Sequence, residues 1–185
     1  GTRIGGFGGR SYVTGSIINS YSNVKVTGFN RVGGFVGLVD VDDAANKPII
    51  YKNLVFDGQV IAKDEHVGGI AGYARGIEAS NIIVEGFIQG AKSTGGAFGF
   101  AQKRSGNNNV KMFIKDVIVY AKVHGIGAEN STVGLVLGNK SASNLTPENQ
   151  DFLVIENVYH VLGSEVLKGG NAVAHNGEEI SLEQF

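Results

Sequence analysis

Apolar residues follow two rhythms along this chain. The first is alternation with a period of two, the mark of a strand with one buried face. Leu54, Phe56, Gly58 and Val60 form one such row, Ile82, Val84, Gly86 and Ile88 the next, and Val117, Val119, Ala121 and Val123 a third. The segments that carry the pattern are SIINSYSNVKVTG (16–28), IIYKNLVFDGQVIA (49–62), SNIIVEGFIQG (80–90), MFIKDVIVYAKVHG (112–125) and FLVIENVYHVLGSEVL (152–167). Aligned on the polar residue before the alternation, they give a column of Asn19, Asn53, Asn81, Asp116 and Asn157, read as the point where each strand starts. Stacked Asn side chains can bond to one another along a sheet. Each can equally close a local side-chain turn.

The second rhythm is a glycine-rich hexamer: IGGFGG (4–9), VGGFVG (32–37), VGGIAG (67–72), TGGAFG (94–99) and a worn copy, VGLVLG (133–138). Glycine weakens a strand interior by about 0.5–1 kcal/mol relative to alanine. Its recurrence beside residues that want burial therefore points to architecture. Gly5, Gly6, Gly33, Gly34, Gly37, Gly68, Gly69, Gly72, Gly95, Gly96, Gly99, Gly134 and Gly138 are expected to form corners where only a residue without Cβ fits. A unit of one hexamer, one loop and one alternating strand cannot bury its apolar face alone, so copies must stack. The expected fold is all-β, a short parallel β-solenoid of about five rungs. Gly34, Gly69 and Gly96 should share one corner, and the strands after Asn53, Asn81 and Asp116 should pair in parallel. Residues 1–185 read as a single domain, with 168–185 as a C-terminal tail or linker. Within it GEEISLEQF reads as a short amphipathic helix or an extended linker, and the NLTPE run near Pro147 as the start of a short helix.

Composition narrows the function. Sixteen Lys and Arg face 17 Asp and Glu, a net charge of −1, which argues against nucleic acid or an anionic membrane as the main partner. No apolar run approaches the ~20 residues of a membrane span. There are 29 glycines, 2 prolines and no cysteine, so disulfides and cysteine-held zinc are excluded. The abrupt opening on GTRIGG reads as an excised segment of something longer.

Catalytic signatures are missing. His66, His124, His160 and His175 have no partner at helical spacing and no His-Glu-x-x-His motif, so they read as surface or strand-flank residues, with a register change expected at His160. The hexamers lack the Lys-Ser or Lys-Thr of a phosphate loop. Asp40, Asp42 and Asp43 begin like a calcium loop, but Ala45 and Tyr51 stand where Gly and Glu belong, so a solvated loop is favoured. Asp57 and Glu85 are expected as neighbours on an outward face. Tyr12, Tyr21, Tyr51, Tyr73, Tyr120 and Tyr159 recur at comparable places. Of these, Tyr120 and Tyr159 are expected one rung apart, either packing laterally on the outside of the sheet or, with Lys122 beside them, forming a partner-contact patch.

The hexamers together with NSYSNVKVTG resemble the GLUG repeat, a glycine-hydrophobic-glycine core with a strand of this kind. Residues 17–26 match the strand and 32–37 the core. The resemblance extends over most of residues 4–167. Such repeats occur in bacterial surface proteins, among them large adhesins and the N-terminal half of streptococcal IgA-protease-like zinc metallopeptidases. IEASNIIVEG and MFIKDVIVYAKVHG are closest to the metallopeptidase version. The resemblance implies an extracellular or cell-surface, non-catalytic platform or spacer. It would hold no cofactor itself, with zinc in a separate catalytic domain. Its partners would be the other domains and a host glycoprotein such as immunoglobulin A, and not nucleic acid or a membrane interior. The alternative is a stalk or adhesive segment of an adhesin.

Overall fold

A computed structural model describes residues 1–12, 15–41, 47–103, 110–127, 131–142, 152–167 and 175–185. The chain is almost entirely β, with its strands in three sheets and every strand-to-strand pairing parallel. Each hexamer contributes two short strands separated by a bend. β5 (Val32–Gly33) and β6 (Val36–Asp40) come from the second hexamer, β8 (Glu65–Gly68) and β9 (Ala71–Ala74) from the third. The first strands of the hexamers build one five-stranded sheet, β1 (Ile4–Gly5), β5, β8, β11 (Lys92–Gly95) and β14 (Val133–Gly134). The second strands build another, from β2 (Gly8–Tyr12) through β6, β9 and β12 (Phe98–Lys103) to β15 (Leu137–Ala142).

The alternating segments build the third and largest sheet. Its centre is three 14-residue strands, β7 (Ile49–Ala62), β10 (Ile77–Gly90) and β13 (Met112–Gly125). They are flanked by β3 (Ile17–Ser22) and β4 (Lys25–Gly28) on one side, and by β16 (Leu153–Val161), β17 (Glu165–Leu167) and β18 (Glu178–Ile180) on the other.

The register reproduces the sequence repeat. Ile4 faces Val32, Val32 faces Val67, Val67 faces Thr94 and Thr94 faces Val133, each the first residue of its hexamer. Leu54, Ile82 and Val117 lie side by side and fully inside, as do Phe56, Val84 and Val119, and Val60, Ile88 and Val123. Phe35, Ile70, Ala97 and Val136, the second residue of each bend, complete the same core.

Gly34, Gly69 and Gly96 do share one corner. The Gly6 N–H donates to the Gly34 carbonyl at 3.1 Å, the Gly34 N–H to Gly68 at 3.1 Å, and the Gly69 N–H to Gly96 at 2.7 Å. None of these hexamer glycines needs a left-handed φ. They are glycine because backbone comes too near: a Cβ on Gly69 would sit 2.6 Å from the Gly96 carbonyl oxygen. Leu135, where the second glycine is lost, obeys the same rule. At this position the Cβ points at the next hexamer, and the fifth has none after it. The Leu135 N–H is taken instead by Asn176 Oδ1 at 2.9 Å, and those of Val136 and Leu137 by the His175 carbonyl.

Two expectations need correction. The Asn column does not start strands, because pairing begins earlier: Ile77 already faces Ile49. Asn53, Asn81 and Asp116 are instead the fifth residues of β7, β10 and β13. All five members, Asn19 and Asn157 included, have φ between 51° and 55°. Such a residue flips the side-chain parity, so Ile49 and Tyr51 point inward before the kink and Leu54 and Phe56 after it. Of the two readings left open by the sequence, the ladder is formed, on a left-handed backbone. Asn53 Nδ2 donates to Asn19 Oδ1 at 2.6 Å, Asn81 Nδ2 to Asn53 Oδ1 at 3.0 Å, and Asn157 Nδ2 to Asp116 Oδ1 at 2.9 Å. Asn53→Ala should therefore cost about 2 kcal/mol in urea unfolding, from the left-handed backbone and the lost bonds together. Asn53→Gly should recover roughly half of that, the backbone part. Equal losses would refute this division.

The second correction concerns the tail. Glu178, Glu179 and Ile180 form β18, which pairs with Tyr159, His160 and Val161. A free edge on β16 offers backbone bonds that a loose linker would forgo. The NLTPE run near Pro147 and the pair Asp42 and Asp43 lie outside the described residues.

Candidate functional site: a groove across the large sheet

Past the kink, β7, β10 and β13 present alternate side chains outward in register. Asp57, Glu85 and Tyr120 form one row, and Gln59, Phe87 and Lys122 another. Between them run Gly58, Gly86 and Ala121. Gly86 has φ 104°, and a Cβ there would overlap the Gly58 carbonyl. Gly58 is held as closely against the Val24 backbone. The strands are thus bent and bare along this line, and a groove opens over it. Its first part, about 550 Å³, lies between Asn23 and Asp57 on one side and Lys25, Gln59 and Phe87 on the other. Its second part, about 340 Å³, continues from Asp57 and Glu85 to Tyr120, Lys122 and Gly163.

Polar groups are held in part. Tyr21 Oη and Asn23 Nδ2 both donate to Asp57 Oδ2, at 3.3 and 3.2 Å. Glu85 and Lys25 make no ion pair among the described residues. Lys122 Nζ lies 3.7 Å from Glu165, an exposed pair worth little. Asp57 and Glu85 are neighbours, as expected from the sequence.

The aromatic patch is arranged differently from the expectation. Tyr159 faces Ile118, two residues before Tyr120, so the tyrosines are diagonal rather than opposite. The offset is constant from Leu153 on Met112 to His160 on Val119, with Asn157 beside Asp116; only beyond His160 does the register change, Glu165 facing Lys122, so that two extra residues bulge out. That change was expected at His160, whose Nε2 lies 3.4 Å from Glu179. Tyr120 remains 39% exposed beside Phe185 and shares its face with Lys122. Tyr51 and Tyr73 are buried, so they belong to no exposed stripe.

His66 is a second surprise. It is buried, not on the surface, with φ 62°. Its ring lies 4.6 Å from that of Phe100 and 5.1 Å from that of Tyr73. The guanidinium groups of Arg31 and Arg75 sit over Tyr73, whose hydroxyl bonds Gln102 and Arg75. Leu38, Tyr73 and Phe100 form a small cluster apart from the main core. Each follows the third glycine of a hexamer, a column readable in the sequence once the third glycine is used as a ruler. Burial pushes the His66 pKa down to about 4, aided by Arg31 and opposed by Glu65 and Asp64.

Among the described residues, no three His, Asp or Glu side chains come together as a metal site. Asp40 is paired with Arg10 at 3.1 Å. Asp116 belongs to the kink ladder and not to the groove. Compared with protein-family models, curated proteins and solved structures, the chain matches none.

Proposed function

We propose that the chain is a parallel β-solenoid of about five rungs that serves as a non-catalytic recognition platform or spacer. On the GLUG resemblance, it belongs to an exported bacterial metallopeptidase of the IgA-protease type. A separate domain would hold the zinc and cut, while this one orients a host glycoprotein. The observation that carries the reading is the groove on the outward face of the three long strands. Stacked repeats make a body stiff in one dimension with long faces, and among the described residues this face combines bare backbone, polar groups without ion pairs at Lys25 and Glu85, and an exposed tyrosine.

Surface-immobilised chain should bind immunoglobulin A weakly. Tyr120→Ala should weaken that binding about tenfold, the effect of one interface anchor of about 1–2 kcal/mol. The melting temperature should hold, because Tyr120 lies outside the core. Binding that is absent, or indifferent to Tyr120, overturns the platform and leaves a spacer.

A further inference from the structure

We propose that the groove is a subsite for a linear, uncharged glycan. This rests on the platform reading and names what the platform grips.

The direction of the groove is the first argument. It runs across the strands, so its side chains repeat at the strand spacing of about 4.8 Å. That is comparable to the length of one pyranose unit in an extended chain. Asp57, Glu85 and Tyr120 follow one another at this spacing on one wall, as do Gln59, Phe87 and Lys122 on the other. A repeating ligand meets a repeating wall.

The chemistry is the second. Carboxylates and a primary amide can each bond two adjacent hydroxyls of a sugar, as acceptors at Asp57 and Glu85 and as donor and acceptor at Gln59. Each wall also offers one ring, Tyr120 or Phe87, for the C–H face of a pyranose. The floor along β7, β10 and β13 is Gly58, Gly86 and Ala121, so a broad sugar ring meets nothing there larger than a methyl group.

Charge and backbone exclude the rivals. Asp57 and Glu85 balance Lys25 and Lys122, so the groove offers no field for a polyanion. A peptide adding as a further β-strand would need a free sheet edge, and β7, β10 and β13 are paired on both sides. The first part of the groove is as polar as it is apolar, and the whole is too open to enclose an apolar ligand.

The test uses three series of neutral linear oligosaccharides, cello-, manno- and chito-, from one to six units, in calorimetric titrations of the chain. At least one series should bind, with affinity rising about tenfold from two to four units and then levelling, since the groove crosses four strand positions. Glu85→Ala and Gln59→Ala should each weaken the best ligand at least about tenfold without moving the melting temperature. No binding in any series, affinity that ignores length, or affinity that ignores both substitutions would overturn the proposal. So would tighter binding of polygalacturonate. Immunoglobulin A stripped of its glycans separates this proposal from the one it rests on. Equal binding before and after stripping sinks the glycan subsite and keeps the platform, whereas loss on stripping supports both.

Discussion

Replacing Gly69 by alanine is expected to cost more than about 4 kcal/mol, enough to unfold much of the chain at room temperature. The new Cβ would lie 2.6 Å from the Gly96 carbonyl oxygen and 2.7 Å from Val84 Cγ1. Overpacking in a core usually costs about 1–3 kcal/mol because side chains can shift. Here the first obstacle is backbone, and that carbonyl is held by the Gly69 N–H itself at 2.7 Å. Moving it would open the ladder that ties the third hexamer to the fourth. Gly34 should behave alike, since its Cβ would overlap the Gly69 carbonyl and the Phe56 ring. Gly8→Ala is the control. A Cβ there meets nothing within 4 Å, so its effect should stay within about 0.5 kcal/mol. Urea unfolding followed by circular dichroism gives the comparison. A Gly69→Ala chain that melts with the Gly8→Ala chain would show that the corner is not a close approach.

The same corner shows why so much of the fold could be read in advance. A repeat that stacks in register imposes its own spacing on the sequence. Aligning the hexamers therefore already aligned Val32 with Val67 and Thr94 with Val133. Alternation did the same for the inward rows, because parity is all that decides which face of a strand is buried. The Asn column was found but misplaced for a related reason. A left-handed residue inside a strand breaks the alternation, so the apolar residues before it, Ile49 and Tyr51, fall out of phase with the row that follows. A kink then reads as a beginning.

The groove was only half legible. The outward parity of Asp57 and Glu85 followed from counting, and Gly58 and Gly86 stood in the alternating rows. That their bareness opens a groove depends on the bend at φ 104°, which no composition announces. The offset of Tyr159 was legible, since aligning Asn157 with Asp116 already sets it on Ile118, two residues short of Tyr120; the two extra residues before Glu165 were not, because they carry no turn signal stronger than one glycine, Gly163. His66 was lost because a histidine beside charged Asp64 and Glu65 looks solvated. Its burial comes from Tyr73 and Phe100, on strands that only the fold brings beside it.

That burial leads to a second large effect, a loss of stability with acid. Unfolded, His66 would titrate near 6.5. Folded, it is held down to about 4, chiefly because burial penalises the cation. Its Nδ1 lies 3.7 Å from Glu65 Oε1, too far for a hydrogen bond to rescue the charged form. Between these two values the unfolded chain binds a proton that the folded chain refuses, so stability must fall as pH drops from about 6.5 to about 4. Above that window the ring is neutral in both states and contributes no slope. The difference of about 2.5 units corresponds to about 3 kcal/mol across the window. His175, also lowered by burial and by Lys140, adds a smaller term of the same sign, so the wild-type profile alone does not isolate His66. His66→Asn does, because asparagine tolerates the left-handed backbone and carries no titrating group. That chain will be weaker at pH 7 for want of ring contacts, but its urea midpoint should fall much less between pH 6.5 and pH 4. If the two profiles run parallel through that interval, the buried imidazole is not what acid attacks.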